Sequence, residues 1–196
     1  MIKIGITGQQ GSGKSFITNE FSKLGVPTIM MDDIAKSVQY NNNELIKKLV
    51  DRFPDGYPNG ILDKFRMREI LFKDKTGKNA KDISEIISPY INQEIDKFYI
   101  KNSKSKYVIV ESALLFEYNL QNKFDLIIFV NSDPKTRKEK AIYRDNISEE
   151  DYDNRMRNQL SDEYKLENSD YIITNDYTNN VIGEVFKLNE TILKLG

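Results

Sequence analysis

The sequence contains no cysteine and no histidine among its 196 residues. Without cysteine, the chain can form no disulfide framework, thiol nucleophile or cysteine-based zinc site. Without histidine, it lacks the commonest general base and metal ligand. Any acid–base chemistry must therefore fall to carboxylates, lysine or tyrosine.

A strong excess of charge and a long apolar run are also missing. The formal net charge is -1, so bulk charge suggests neither nucleic acid nor an anionic membrane as a partner. No apolar segment approaches the length of a membrane span. Because the first residues already show a strand pattern, we expect no signal peptide. We therefore expect a cytoplasmic protein built on one domain, residues 1–196, whose partner is a small molecule. The sequence leaves the oligomeric state open.

The strongest motif occupies residues 8–15, which read GQQGSGKS. They fit the pattern G-x-x-x-x-G-K-[ST], whose glycine-rich turn wraps backbone N–H groups around nucleotide phosphates. Such a motif should follow a buried strand and open a helix. Residues 2–7 alternate isoleucine with small or polar residues, and residues 16–24 show helical spacing that ends at Gly25. The sequence therefore predicts a nucleotide-binding P-loop.

The residue types in this loop suit a phosphate chain. Glycines allow unusual backbone dihedrals and leave room for close approach, and the helix that follows adds its positive N-terminal dipole. We expect Lys14 to reach the β- and γ-phosphates and Ser15 to bind Mg²⁺. The predicted nucleotide-contacting residues are Gly8, Gly11, Ser12, Gly13, Lys14, Ser15 and Phe16.

Further along the chain, four more short apolar segments alternate with helical patterns. This alternation predicts an α/β fold with a five-stranded parallel sheet covered on both faces, a three-layer sandwich of the P-loop type. The predicted strands are residues 2–7, 26–31, 106–111, 125–130 and 170–174.

Acidic residues follow two of these strands at the edge where open parallel sheets bind ligands. Asp32 is the candidate catalytic carboxylate, whereas Asp33 is the better candidate for a helix cap. Glu111 ends the third strand and is a candidate partner for Mg²⁺, either as a direct ligand or through a water molecule. The Walker-B carboxylate of P-loop enzymes acts on Mg²⁺ in this way. The alternative for Glu111 is a surface or capping role.

Two segments lie outside the sheet pattern. Residues 37–103 predict a largely helical insertion, which in a P-loop kinase commonly holds the acceptor substrate, and Pro89 predicts a break or kink within it. Residues 134–165 are dense in charge, and most of their basic side chains are interpreted as a solvated helix face. The exceptions are Arg144, Arg155 and Arg157, which could stabilise a moving phosphoryl group from a closing lid.

On these residues the chain resembles the dephospho-CoA kinase family. The Leu-Leu-Phe-Glu and Arg-Asp segments are more specific than the P-loop alone. The matching segments recur in the family's order along almost the whole chain: residues 4–15, Leu24-Gly25-Val26, Asp32 with Ile34-Ala35, Leu114-Leu115-Phe116-Glu117, Arg144-Asp145, Arg155 to Gln159, and Asn175.

The resemblance implies transfer of the ATP γ-phosphate to the ribose 3′-hydroxyl of dephospho-CoA, with a core domain, a helical acceptor-binding domain and a lid. It also implies that Asp32 is the base and Arg144 a lid arginine facing the nucleotide. Asn175 corresponds to a residue near the adenine. Lys14 and Ser15 keep the phosphate and Mg²⁺ roles that the motif itself predicts.

The chain departs from the family pattern at three places. Met30 replaces an aspartate, Ser88 replaces a histidine, and Ala113 lies in the segment that usually reads Asp-x-Pro. These changes leave the P-loop chemistry intact, but they bear on which acceptor molecule the protein phosphorylates. Two alternatives therefore stay open: a nucleoside or deoxynucleoside monophosphate kinase on the same scaffold, and a catalytically silent ATP-binding regulatory module.

Overall fold

The structure is a computed structural model that describes residues 1–157, 159–178 and 180–195, apart from the side chain of Phe72. Asn158, within the charge-dense segment, therefore lies outside the described residues. The chain divides into two compact units: the sheet unit, Met1–Met30 with Asn102–Gly196, and the helical unit, Met31–Lys101. Within the described residues, no helix is long and apolar enough to cross a membrane.

The described residues form five strands and nine α-helices. In chain order they are β1 (Ile2–Thr7), α1 (Lys14–Lys23), β2 (Thr28–Met30), α2 (Met31–Asn41), α3 (Asn43–Arg52), α4 (Lys64–Lys73), α5 (Lys78–Lys101), β3 (Tyr107–Glu111), β4 (Leu126–Asn131), α6 (Pro134–Asp145), α7 (Glu149–Met156), α8 (Asp162–Glu167), β5 (Tyr171–Thr174) and α9 (Asn180–Leu193).

All strand pairs in the sheet are parallel, and the strand order is β2-β3-β1-β4-β5. The predicted five-stranded parallel sheet is confirmed. β1 lies at the centre, with Ile6 opposite Glu111 on one side and Ile128 on the other. Because parallel strands end at the same edge, the loop after β1 shares that edge with the ends of the other four strands.

The two faces of the sheet are covered differently, because successive side chains of a strand point to opposite faces. Ile4 and Ile6 belong to a buried cluster with residues of α1 and α9, including Phe21 and Val185. The residue between them is Gly5, where a Cβ would lie 2.6 Å from Leu115 Cδ1. A glycine at this position therefore lets the segment after β3 pack closely on the second face.

The helical unit contains α2 to α5, which bury an apolar stripe of their own that includes Leu45 and Leu49. Asn42 caps α3 through the backbone N–H of Leu45, and the Asp63 carboxylate caps α4. The predicted helical content of the insertion is therefore observed, while its acceptor-binding role stays a prediction.

Two local expectations in this unit differ from the structure. Asp33 does not cap a helix, because α2 already begins at Met31 and places Asp32 and Asp33 in its first turn. Of the two alternatives predicted at Pro89, the break is wrong, because a single helix, α5, continues through this residue. The kink stays a prediction. Proline removes one backbone donor and crowds the preceding turn. The neighbouring Ser88 hydroxyl donates to the Ser84 carbonyl, one of the oxygens of that turn, at 2.5 Å.

Candidate active site

The loop between β1 and α1 can be built only with glycine at two positions. Gly11 and Gly13 have φ angles of +87° and +89°, in the left-handed region that side chains disfavour. A Cβ at Gly11 would lie 2.2 Å from the Arg137 carbonyl oxygen, and a Cβ at Gly13 would lie 2.1 Å from Asn175 Nδ2. The backbone conformation therefore disfavours a side chain at both positions. At Gly11 a backbone carbonyl also leaves no room for one, and at Gly13 the Asn175 amide would have to move.

Two hydroxyl groups, one at the start of this loop and one within it, have no hydrogen-bond partner among the described residues. They belong to Thr7 and Ser12, and both are buried. Buried polar groups are costly when unsatisfied, so these two hydroxyls are available to a bound ligand or a water molecule. Lys14 is also buried, and its Nζ lies 3.1 Å from the Gln9 carbonyl oxygen. The loop thus gathers donors and one cation at a helix N-terminus, which suits a phosphate chain.

Ser15 and Glu111 lie side by side although 96 residues separate them in the chain. The Ser15 hydroxyl donates to Glu111 Oε2 at 3.1 Å, and Glu111 is buried at the end of β3. Hydroxyl and carboxylate oxygens are hard ligands, and Mg²⁺ in nucleotide enzymes takes one or two protein carboxylates together with substrate phosphates. The pair therefore fits Mg²⁺ bound with a nucleotide. The described residues hold no cluster of three or more acidic side chains that could bind a metal by itself.

Asn175 follows β5 and supports the loop from the side. Its Nδ2 donates to the Ser12 carbonyl at 2.8 Å, and its Oδ1 accepts from the backbone of Tyr177. The hydroxyl of Tyr177 donates to the Gly11 carbonyl at 2.5 Å. The structure therefore brings Asn175 to the loop, as a backbone support. Its predicted contact with adenine stays a prediction.

Asp145, the last residue of α6, connects the loop to the lid arginines. Its carboxylate accepts from Gln10 Nε2 at 2.7 Å and from Arg144 Nε at 2.7 Å. Arg155 Nη1 lies 3.7 Å from the same carboxylate. These donors, Arg144 first, lower the pKa of Asp145 below its ordinary value. Two of the three predicted lid arginines thus converge on one carboxylate beside the loop.

The remaining predicted site residues are less enclosed. Arg157 donates to Asn154 Oδ1 at 3.2 Å and lies on the surface. Phe16 is exposed on the first turn of α1. Asp32 is exposed in the first turn of α2 and belongs to the helical unit. It follows Met30 by two residues, and Met30 pairs with Glu111 in the sheet.

The interpretation of the basic residues of segment 134–165 as a solvated face is wrong for two of them. Arg137 is buried and its Nη1 lies 2.6 Å from Asp162 Oδ2. Lys165 is completely buried and its Nζ lies 2.8 Å from Glu117 Oε1. Sequence reasoning missed both pairs, since their partners lie 25 and 48 residues away in the chain. The specific Leu-Leu-Phe-Glu segment, which ends at Glu117, was the only signal.

Comparison with known proteins places these features in a family. The model of the family described as dephospho-CoA kinase matches residues 2–180. The dephospho-CoA kinase of Bacteroides fragilis strain YCH46 is 32% identical over 188 residues, which cover 95% of this chain and 91% of that protein.

Two solved structures resemble this fold over nearly their full length. The crystal structure of TT1252 from Thermus thermophilus has a TM-score of 0.85 at 25% identity and covers 100% of this chain and 98% of that one. A dephospho-CoA kinase from Campylobacter jejuni has a TM-score of 0.62 at 23% identity, with 97% and 96% of the two chains covered, which shows a shared fold.

Proposed function

The chain belongs to the dephospho-CoA kinase family, and from that premise we propose that it transfers the γ-phosphoryl group of ATP to the ribose 3′-hydroxyl of dephospho-CoA. The bond between the γ-phosphorus and the β,γ-bridging oxygen breaks, and a bond from that phosphorus to the 3′-oxygen forms. ADP leaves, and the hydroxyl proton is released. The observation that carries the proposal is the glycine-rich loop with its buried Lys14, together with the Ser15 hydroxyl 3.1 Å from Glu111 Oε2.

The loop binds and orients the triphosphate. Its backbone N–H groups and the N-terminus of α1 surround the phosphates, and Lys14 supplies a cation at the β- and γ-phosphates. Ser15 and Glu111 would hold Mg²⁺, which when bound neutralises phosphate charge. Positioning and charge stabilisation account for most of the catalysis in this class of reaction.

We assign to Asp32 the role of orienting and deprotonating the acceptor hydroxyl. A carboxylate at the end of a strand can orient the hydroxyl and accept its proton, and the chain has no histidine to do so. This assignment is supported by the position of Asp32 after β2 and by the family match. We also assign acceptor binding to the predicted insertion, residues 37–103, and lid closure to residues 134–165. Among the charges of this lid, we assign Arg144, Arg155 and Arg157 to the transferred phosphoryl group.

The family match favours this reaction over the monophosphate kinase and the silent binding module. Met30, Ser88 and Ala113 are then substitutions that the family function tolerates. Ala113 illustrates how: its contribution to the structure is a backbone carbonyl, which accepts from Lys165 Nζ at 3.3 Å. A backbone acceptor does not depend on the side chain at that position.

A turnover assay tests the proposal. ATP, Mg²⁺ and the protein are incubated with dephospho-CoA or with each of a panel of nucleoside and deoxynucleoside monophosphates, and ADP release and product mass are measured. We expect dephospho-CoA to gain one phosphate and the monophosphates to remain unchanged. Preference for a monophosphate would overturn the acceptor assignment, and ATP binding without any phosphorylated product would favour the silent module.

A further inference from the structure

A chain of contacts joins a buried ion pair to the phosphate-binding loop. We propose that Glu117 and Lys165 are positioning residues for the nucleotide site, and that they act through Leu160 and Gln9 on the Lys14 ammonium group. The proposal rests on the nucleotide binding proposed above. Every residue in it belongs to the sheet unit.

The ion pair itself forms the first link. The Lys165 side chain is 0% exposed and the Glu117 side chain is 10% exposed. Burying two charges costs free energy that their attraction offsets only with good geometry, and apolar pairs of similar volume are often as stable. Stability alone therefore does not account for charges at this position, which points to a second consequence of the pair.

That consequence is the placement of Leu160. The same Glu117 oxygen that binds Lys165 also accepts from the Leu160 backbone N–H at 2.9 Å. Because Lys165 fixes the carboxylate, the carboxylate in turn fixes the peptide of Leu160. Leu160 as a whole is 37% exposed, so burial alone does not hold this residue in place.

Gln9 forms the last link. Its Nε2 donates to the Leu160 carbonyl at 2.6 Å, and the residue is only 2% exposed. The Gln9 backbone carbonyl accepts from both Lys14 Nζ and the Ser12 N–H, each at 3.1 Å. A shift of Leu160 would thus move the group against which the catalytic lysine is held. Displacements of about 1 Å in such groups are enough to weaken a preorganised site.

Two matched double variants separate this role from simple stability. Both E117Q/K165M and E117L/K165M replace the ion pair by a neutral pair. Only the glutamine retains an oxygen that can accept from Leu160. A third variant, Gln9→Met, leaves the ion pair intact and removes only the donor to Leu160. Tyr107→Phe serves as the control, because it deletes the buried hydrogen bond to Asn189 at the start of β3, the opposite end of the strand from the loop.

ATP affinity is measured by calorimetry with Mg²⁺, and the melting temperature is measured for each variant. We expect E117L/K165M and Gln9→Met each to weaken ATP binding about tenfold, the loss of roughly one well-placed hydrogen bond. E117Q/K165M should weaken ATP binding less, about threefold, because the glutamine oxygen still accepts from Leu160 but is no longer fixed by Lys165. Its melting temperature should be close to that of E117L/K165M. Tyr107→Phe should lower the melting temperature and leave ATP affinity unchanged.

Combining Gln9→Met with E117L/K165M tests whether the contacts act in series. Residues in one network give non-additive effects, so the triple variant should bind ATP no more weakly than Gln9→Met alone. Equal affinity of the two neutral pairs, or additive losses in the triple variant, would overturn the positioning role. If the unaltered protein did not bind ATP at all, the proposed function would fail as well, so the two failures are distinguishable.

Discussion

Gln10 of the phosphate-binding loop donates to the Asp145 carboxylate at 2.7 Å, across 135 residues of chain. The same carboxylate holds Arg144 through two hydrogen bonds, of 2.7 and 3.0 Å. The Arg144 side chain is otherwise 62% exposed. An arginine side chain on the surface samples many rotamers, and its hydrogen bonds to Asp145 restrict Arg144 to a position beside the loop. A bound phosphate can compete with Asp145 for the same guanidinium group.

The Asp145→Asn variant should be less stable in a pH-dependent way. The pKa of Asp145 is lowered in the folded protein, chiefly by Arg144. Its contribution to stability is therefore present above the ordinary carboxyl pKa, about 4, and is lost as pH falls through the folded-state value. Urea unfolding between pH 7 and pH 2 should show a difference between the two proteins that is largest at pH 7 and shrinks in acid. A constant difference would contradict this, and Asp96→Asn, at an exposed position of α5, is the control.

Replacing Lys14 by alanine should lower kcat/KM for ATP by about a hundredfold or more, because a preorganised cation at the transferred phosphoryl group is lost. Turnover is measured with dephospho-CoA and Mg²⁺. The matched variant is Lys23→Ala at the last residue of the same helix, where the exposed lysine pairs with the buried carboxylate of Glu20. Unchanged kinetics in Lys14→Ala would remove this residue from the proposed site.

Asp32→Asn should reduce kcat by a factor on the order of a hundred and leave the affinity for ATP unchanged. The variant removes a group that acts on the acceptor hydroxyl in the transition state rather than one that binds the donor. Calorimetry gives ATP affinity, and single-turnover kinetics give the chemical step. Asp33→Asn, one position along the same helix turn, should behave like the unaltered protein. Loss of ATP binding with an intact chemical step would assign Asp32 to the donor side.

In the Glu111→Gln variant, the concentration of Mg²⁺ needed for half-maximal turnover should rise by about tenfold. The amide retains an oxygen for Ser15, which now lies 3.1 Å from the carboxylate, but it loses the charge that attracts the cation. The magnesium activation curve at saturating ATP is the measurement. Glu184→Gln on α9, at an exposed position, is the control. An unshifted curve would show that Glu111 does not act through the metal.

Gly13→Ala and Gly25→Ala separate backbone strain from crowding. Both glycines have positive φ angles, +89° and +84°, but only a Cβ at Gly13 meets another group, Asn175 Nδ2 at 2.1 Å. Gly25→Ala should cost about 1–2 kcal/mol of unfolding free energy, the penalty of the left-handed conformation. Gly13→Ala should cost more and should also abolish ATP binding. Equal unfolding free energies and intact binding in both variants would contradict the crowding argument.

The regular parts of the fold could be predicted because their signals are local. The alternation of isoleucine in residues 2–7 and the apolar segments before Glu111 and Asn131 each specify a buried strand by neighbouring residues alone. Helix ends were less well predicted. α2 begins at Met31, before the aspartates that look like caps, and α5 continues through Pro89. In these places the observed helix departs from the local signal, which is only a weak preference.

The site divides in the same way. By itself the sequence determined the P-loop, because its glycines, Lys14 and Ser15 act through backbone geometry and charge within eight consecutive residues. Only the tertiary structure decided which distant side chains complete it: Glu111 beside Ser15, Asp145 beside Gln10, and Lys165 buried against Glu117. The physical reason is that the sequence does not distinguish a charged residue that is solvated from one that is paired with another residue. Its role depends on the partner that folding brings within hydrogen-bond distance.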